Sequence, residues 1–352
     1  MHESSYLIRT AYGPKEFRAS AGAVLPHEHI VIDSRVWWEG PGDWRQFDDE
    51  DALRAATPEV LAEYPQATIR ENMLLSDWFL SAKELRAARD AGTQLVVDLT
   101  VLGSGPDIRS AVRAADMAGI DLVVSVGRYL HDAVPVSEHK VGEDELVERW
   151  TRQIADGVDG YLPGIIGEIG TSADIEDDER VSLRAAARTQ ALTGLPMNIH
   201  VHPYARQAVT AVTVAARAGV DLGKLAVSHL DCDLNIQELR SLLALGVYVE
   251  FDNFGTSRHR KVDGRGYPDD TERLDAIEEL IGLGYRSRIL LSHDINHRNS
   301  LRANAGWGYA HLAENVVPQL TERFGERIAR ELTAENSLRF LEMPNQQNNR
   351  GE

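Results

Sequence analysis

Cysteine is almost missing from this chain. Cys232 is the single one in 352 residues, which excludes an intrachain disulfide and agrees with a reducing compartment. Positive charge is also scarce, with 37 Lys and Arg against 55 Asp and Glu and a formal charge of −18. Nucleic acids and anionic membranes reward a basic face, so neither is expected as the main partner. No apolar run approaches the length needed to span a bilayer. The stretch Met1 to Thr10 lacks the apolar centre of a signal peptide, so a cytoplasmic location is expected. No Gly/Ser-rich linker divides the chain. A single domain over residues 1–343 is expected, followed by a polar tail at 344–352.

What is present is a regular alternation. Short apolar runs predict strands at Ala23–Ile32, Gln94–Thr100, Asp121–Tyr129, Gly164–Gly170, Leu195–His202, Lys224–Asp231, Val247–Phe254 and Arg288–Ile295. Their centres, such as Leu95-Val96-Val97 and Leu122-Val123-Val124, are continuously apolar, as in a parallel sheet covered on its outer face. Between them, Ser81–Ala91, Asp107–Ala118, Asp178–Thr193, Ala205–Ala218, Asn235–Ala244 and Thr271–Leu283 are rich in Ala, Leu, Arg and Glu and predict helices. Several end in glycine, at Gly92, Gly119, Gly219 and Gly246, which suits a helix C-terminus. Eight such units predict a (β/α)8 TIM barrel with long loops after strands 1, 7 and 8. The alternative, a doubly wound sheet, wants a Gly-rich turn after its first strand, and Pro26-His27-Glu28-His29 is not one.

The chemistry-bearing residues fall at strand ends. His27 and His29 are two apart, so on a strand both face the barrel interior. His200 and His229 end two further strands and can supply a second nitrogen pair. Asp294 ends the last strand, beside the first in a closed barrel, and Glu168 ends the fourth, opposite the first, where a carboxylate can bridge two ions. Imidazole with carboxylate suits Zn, and also Mn, Fe or Co. Two such ions activate water and polarise the bond it attacks, which makes hydrolysis the expected chemistry. Asp294 can accept the proton and pass it to the leaving group. The competing reading is a small-ligand-binding barrel without turnover, against which the intact Asp294 argues.

Around these residues the chain resembles the phosphotriesterase family of the amidohydrolase superfamily. The matching pieces are Leu25-Pro26-His27-Glu28-His29, Gly167-Glu168-Ile169-Gly170, Asn198-Ile199-His200, Ser228-His229-Leu230-Asp231, Phe251-Asp252-Asn253-Phe254-Gly255 and Ser292-His293-Asp294-Ile295. Gly306-Trp307-Gly308-Tyr309 and Asn336-Ser337-Leu338-Arg339-Phe340 add to them, so the resemblance runs from about residue 20 to 343. It implies a barrel with two divalent metals, the first on His27, His29 and Asp294 and the second on His200 and His229. It also implies a homodimer, by analogy alone. The best-known members bridge their metals with a carboxylated lysine, whereas this chain has Glu168. That is similar to the phosphotriesterase-related, phosphotriesterase-homology and resiniferatoxin-binding-like subgroup. The implied reaction is attack of a bridging hydroxide on the carbonyl of an amide or ester/lactone bond, with N-acetyltaurine among the implied substrates. Phosphoester hydrolysis at the same site is the alternative.

Substrate contacts are read more coarsely. Tyr129 ends strand three, where a lactonase-like tyrosine can hydrogen-bond a substrate carbonyl. His202 points inward beside His200. Arg258, with Arg260, Lys261 and Arg265 on the same loop and Arg128, Arg298 and Arg302 on others, predicts a basic mouth and a small anionic substrate. Asp231 and Asp98 are expected to orient metal ligands, Cys232 to pack, and His131, His139, His259, His297 and His311 to be surface or supporting groups rather than ligands.

Overall fold

All eight apolar runs become parallel strands, in the order the sequence predicts. The computed structural model describes residues 4–38, 70–256, 261–262 and 265–344. The strands are β1 (Ala23–Glu28), β2 (Thr93–Asp98), β3 (Asp121–Val126), β4 (Pro163–Ile169), β5 (Met197–Ile199), β6 (Leu225–Val227), β7 (Tyr248–Phe251) and β8 (Ile289–Leu291). Each pairs with the next in the chain, from β1 through to β8, in one eight-stranded sheet. The two edge strands meet at their C-terminal ends. There Asp294 N donates to His27 O at 3.3 Å and His27 N to Ser292 Oγ at 3.2 Å. The Glu28 carboxylate reinforces this seam, accepting from Ser292 Oγ at 2.9 Å and from the backbone of His293 and Ile295 at 3.0 Å each. The result is a nearly closed (β/α)8 TIM barrel.

The helices that cover it are α1 (Trp78–Asp90), α2 (Ile108–Ala118), α3 (Glu143–Asp156), α4 (Asp177–Thr193), α5 (Ala208–Arg217), α6 (Ile236–Ala244) and α7 (Asp270–Gly282). Their starts follow local side-chain chemistry. Asp77 accepts from the backbone of Phe79 and Leu80, Asp107 from Ser110, and Asn235 from Glu238. Asp269 and Glu272 form a reciprocal capping box on α7. Gly119 closes α2 at φ 73°, a left-handed position that costs glycine nothing. The start of α5 departs from expectation: it begins at Ala208 rather than Ala205, after a turn in which Arg206 takes φ 54°.

The strand period of two sorts the core. Leu25, Val96, Leu122, Ile166, Met197, Val227 and Val249 join the helices in an outer cluster. Val24, Leu95, Val97, Val123, Ile165, Ala226, Tyr248 and Leu290 form a separate inner one. The inner cluster includes Tyr6, Ile8 and Phe17 from an N-terminal hairpin (Ser5–Thr10 with Gly13–Arg18), and Leu338, Phe340 and Leu341 from the last helix. These elements plug the N-terminal end of the barrel and leave its C-terminal end for chemistry. The hairpin, α3 and the helices after residue 312 went unread in the sequence. In α3 the signal was present, since Leu146, Val147, Trp150 and Ile154 recur at helical spacing and are buried.

One buried ion pair fastens the loop end of the barrel. Arg273 on α7 and Asp231 after β6 are both fully buried, with Nε 2.6 Å from Oδ2, and Arg273 Nη1 donates to Thr256 O at 2.7 Å. Removing one partner strands a charge in a dry interior. Arg273→Met is therefore expected to lower unfolding free energy by about 3–5 kcal/mol in chemical denaturation.

Candidate metal centre

The open end of the barrel gathers six residues drawn from five separate segments of the chain. His27, His29, Glu168, His200, His229 and Asp294 are all buried at the strand ends. Their side chains converge on Glu168. Its Oε1 lies 2.8 Å from His200 Nδ1, 3.0 Å from His229 Nε2 and 3.5 Å from His27 Nε2. Its Oε2 lies 3.9 Å from His29 Nε2. Asp294 Oδ1 stands on the other side, 3.2 Å from His29 Nε2 and 3.8 Å from His27 Nε2. One donor set is therefore His27, His29 and Asp294, the other His200 and His229, with Glu168 reaching both. His229 and Asp294 hold positive φ, 61° and 51°, a conformation uncommon for residues with a Cβ.

These donor atoms fit cations. His27 Nε2 and Asp294 Oδ1 are buried with no hydrogen-bond partner among the described residues. His229 Nε2 and His200 Nδ1 face each other at 2.8 Å. A tetrahedral zinc with ~2.0–2.1 Å bonds holds its ligand atoms about 3.4 Å apart, close to the separations seen here. Burial works against charge on Glu168, but His200 and His27 outweigh it and hold the carboxyl well below its usual range. Burial lowers His200, whereas His27 is pushed up against its own burial by Glu168, Asp252 and Glu250.

A carboxylate layer lies beneath. Glu250 Oε2 is 3.0 Å from His27 Nδ1 and accepts from Asn198 Nδ2 and Ser228 Oγ, both at 2.8 Å. Asp252 lies 3.2 Å from His229 Nδ1 and accepts from the His229 backbone at 2.9 Å. His29 Nδ1 is 3.0 Å from Thr100 Oγ1. Each partner engages the nitrogen remote from Glu168, and so fixes which nitrogen faces that carboxylate. Sequence reading missed Glu250 and Asp252. The signal was there: two acids at alternate positions in the apolar run Val247 to Phe254 can only face inward.

Comparison with known proteins decides the family. The model of the phosphotriesterase family matches residues 7–341. The chain belongs to the phosphotriesterase family. It is a metal-dependent hydrolase of the phosphotriesterase-like type. N-acetyltaurine hydrolase of Homo sapiens is 32% identical over 349 residues, covering 97% of this chain and 99% of that protein. N-acetyltaurine hydrolase of Rattus norvegicus is 30% identical over 342 residues, covering 94% and 97%. Among solved structures, a resiniferatoxin-binding protein from Rhodobacter sphaeroides superposes with a TM-score of 0.86 at 30% identity, covering 96% of this chain and 95% of that one.

Within this family member the other expected site residues fare unevenly. Tyr129 lines the cavity above the histidines, where Trp37 Nε1 donates to its hydroxyl at 2.9 Å. His202 lies 5.7 Å from Trp37, ring to ring, with 43° between the planes, and does not line that cavity. Arg258, His259 and Arg260 lie outside the described residues. Three other arginines do not form a basic mouth. Arg128 turns into the protein, donating to Ser182 Oγ at 2.8 Å and Glu138 O at 2.7 Å. Arg298 holds Leu74 O at 2.9 Å, and Arg302 pairs with Glu314. A guanidinium without a ligand finds backbone carbonyls and acids, and loop position alone does not reveal which. Asp231 serves Arg273 and Asn253 rather than His229, a role that Asp252 fills. Asp98 acts one step away, accepting from the backbone of Thr100 at 3.0 Å. His293 turns to Glu28 at 2.6 Å, and Cys232 is buried beside Tyr267. His297, expected as a surface or supporting group rather than a ligand, lines the cavity with Ser34, Tyr267 and Asn296.

Proposed function

We propose that two divalent metals, zinc in the first instance, occupy this centre, and that the enzyme hydrolyses an amide or ester/lactone bond in a small molecule. The observation that carries the reading is Glu168, one carboxylate in reach of both nitrogen sets. His27, His29 and Asp294 would hold one ion, His200 and His229 the other, and Glu168 both. Such ions supply Lewis acidity and make water ionisable near neutral pH. The chain's own residues do the rest. Asp294, fixed by Asn296 Nδ2 at 2.9 Å from its Oδ2, takes the proton from water and returns it to the departing nitrogen or oxygen. Tyr129 and Trp37 cover the histidines and orient the acyl group against the cavity wall.

The relatives support this substrate class. Two of them at 30–32% identity are N-acetyltaurine hydrolases, which makes a short N-acyl amide bearing an anion the first substrate to assay. Lysine and arginine are missing from the cavity wall among the described residues, and Arg258, expected from the sequence, is the residue proposed to meet that anion. The test is a kcat/KM panel of N-acetyltaurine, other N-acyl amino acids, lactones and a phosphotriester on the metal-loaded enzyme. Amides or lactones are expected to exceed the phosphotriester by 10-fold or more. A preference for the phosphotriester would overturn the reading.

Glu250 gives a further prediction. A glutamine there keeps the size but weakens the acceptor for His27 Nδ1. Glu250→Gln is expected to reduce metal affinity about 10–100-fold in chelator competition, with the fold intact.

A further inference from the structure

The direction of the Tyr129 hydroxyl is set by its neighbour on the loop after β1. An indole N–H only donates, so in the 2.9 Å contact between Trp37 Nε1 and the Tyr129 hydroxyl the tyrosine oxygen accepts. The single hydrogen of that hydroxyl therefore turns away from Trp37. His200 Nδ1 lies 3.4 Å from the same oxygen, within donating geometry. That nitrogen also faces Glu168 Oε1 at 2.8 Å, so the hydrogen can be directed at the centre. Left alone, a hydroxyl rotates to suit whichever neighbour it meets.

Both partners are anchored independently. Trp37 closes a single helical turn, Arg35–Trp37, its backbone donating to Ser34 O at 3.0 Å. Ser34 is tied in turn to Met73 O, through N at 2.9 Å and Oγ at 2.8 Å, and Asp33 N to Ser104 O at 2.9 Å. The indole lies 5.7 Å, ring to ring, from both His200 and His202. Tyr129 donates from its backbone to Leu102 O at 2.8 Å, and its ring meets His200 edge-on at 4.9 Å. A donor held this way needs no reorganisation when charge develops beside it.

We propose that Trp37 is a positioning residue for hydrolysis: its N–H commits the Tyr129 hydroxyl to donating, so that Tyr129 meets the acyl oxygen as negative charge grows on it. This rests on the hydrolytic reading above. Trp37 acts through Tyr129, and no bond to it forms or breaks. The acyl oxygen carries more charge in the transition state than in bound substrate, so the contribution falls on kcat rather than KM.

The test is a double-mutant cycle of Trp37→Phe and Tyr129→Phe on the metal-loaded full chain, run on whichever substrate of the panel turns over fastest. Phenylalanine keeps a ring beside His200 and His202 but has no N–H. Trp37→Phe alone is expected to lower kcat about 3–10-fold, the worth of one neutral hydrogen bond, with KM within about 2-fold. In the Tyr129→Phe background the same change should cost kcat nothing further. A readout without turnover is the Trp37 indole N–H resonance of the metal-free chain, assigned by its loss in Trp37→Phe, which should move upfield in Tyr129→Phe. Additive losses in kcat, a loss carried by KM, or an indole resonance that Tyr129→Phe leaves in place would overturn the proposal. A phosphotriester as the fastest substrate would sink the amide and lactone reading, while the cycle would still judge Trp37.

Discussion

Glu168→Gln is expected to cost this enzyme about 10³-fold or more in kcat/KM, some 4 kcal/mol of barrier, and to lower its bound metal from two ions towards one. The carboxylate stands 2.8 Å from His200 Nδ1 and 3.0 Å from His229 Nε2 while facing His27 at 3.5 Å. A carboxamide of the same shape offers one neutral oxygen, and its NH₂ repels a cation. Asp294, 3.2 Å from His29, would then be the remaining carboxylate among the six, with Glu250 and Asp252 behind His27 at 3.0 and 3.2 Å. Metal analysis alongside steady-state kinetics reads both effects. Unchanged metal content and activity would remove Glu168 from the bridging position.

Asp294→Asn separates metal binding from proton transfer. Oδ1 faces His29 at 3.2 Å, and Oδ2 is held by Asn296 at 2.9 Å. Asparagine keeps one oxygen for the ion but cannot accept a proton. General base catalysis contributes about 10²–10⁴-fold, so kcat is expected to fall within that range or below it while KM changes little. The ion on His200, His229 and Glu168 is expected to stay. A large rise in KM with kcat preserved would mean that Asp294 serves binding rather than chemistry.

The sequence revealed the parts of this molecule that obey a period. Eight apolar runs gave eight strands, because a strand covered on its outer face must be apolar at nearly every position. His27 and His29 shared a face by spacing, and His200, His229, Glu168 and Asp294 followed from lying at strand ends. Non-periodic contacts were harder to read. Arg128 and Asp231 stand beside site residues in sequence, yet the fold turns both towards partners 40 or more residues away, Ser182 and Arg273. Glu28 was read only as part of a motif, whereas it stitches β1 to the end of β8. Glu250 and Asp252 were legible but overlooked, since acids within an apolar strand signal a polar interior layer. The N-terminal plug carries no such signal: its apolar residues become a core only when the barrel end is placed against them.

The most direct test of the central claim is metal content against activity on a single preparation. Apoenzyme made by chelation should be inactive, and activity should rise with added zinc to a plateau at two ions bound per chain. Full activity at one ion, or in metal-free protein, would contradict it.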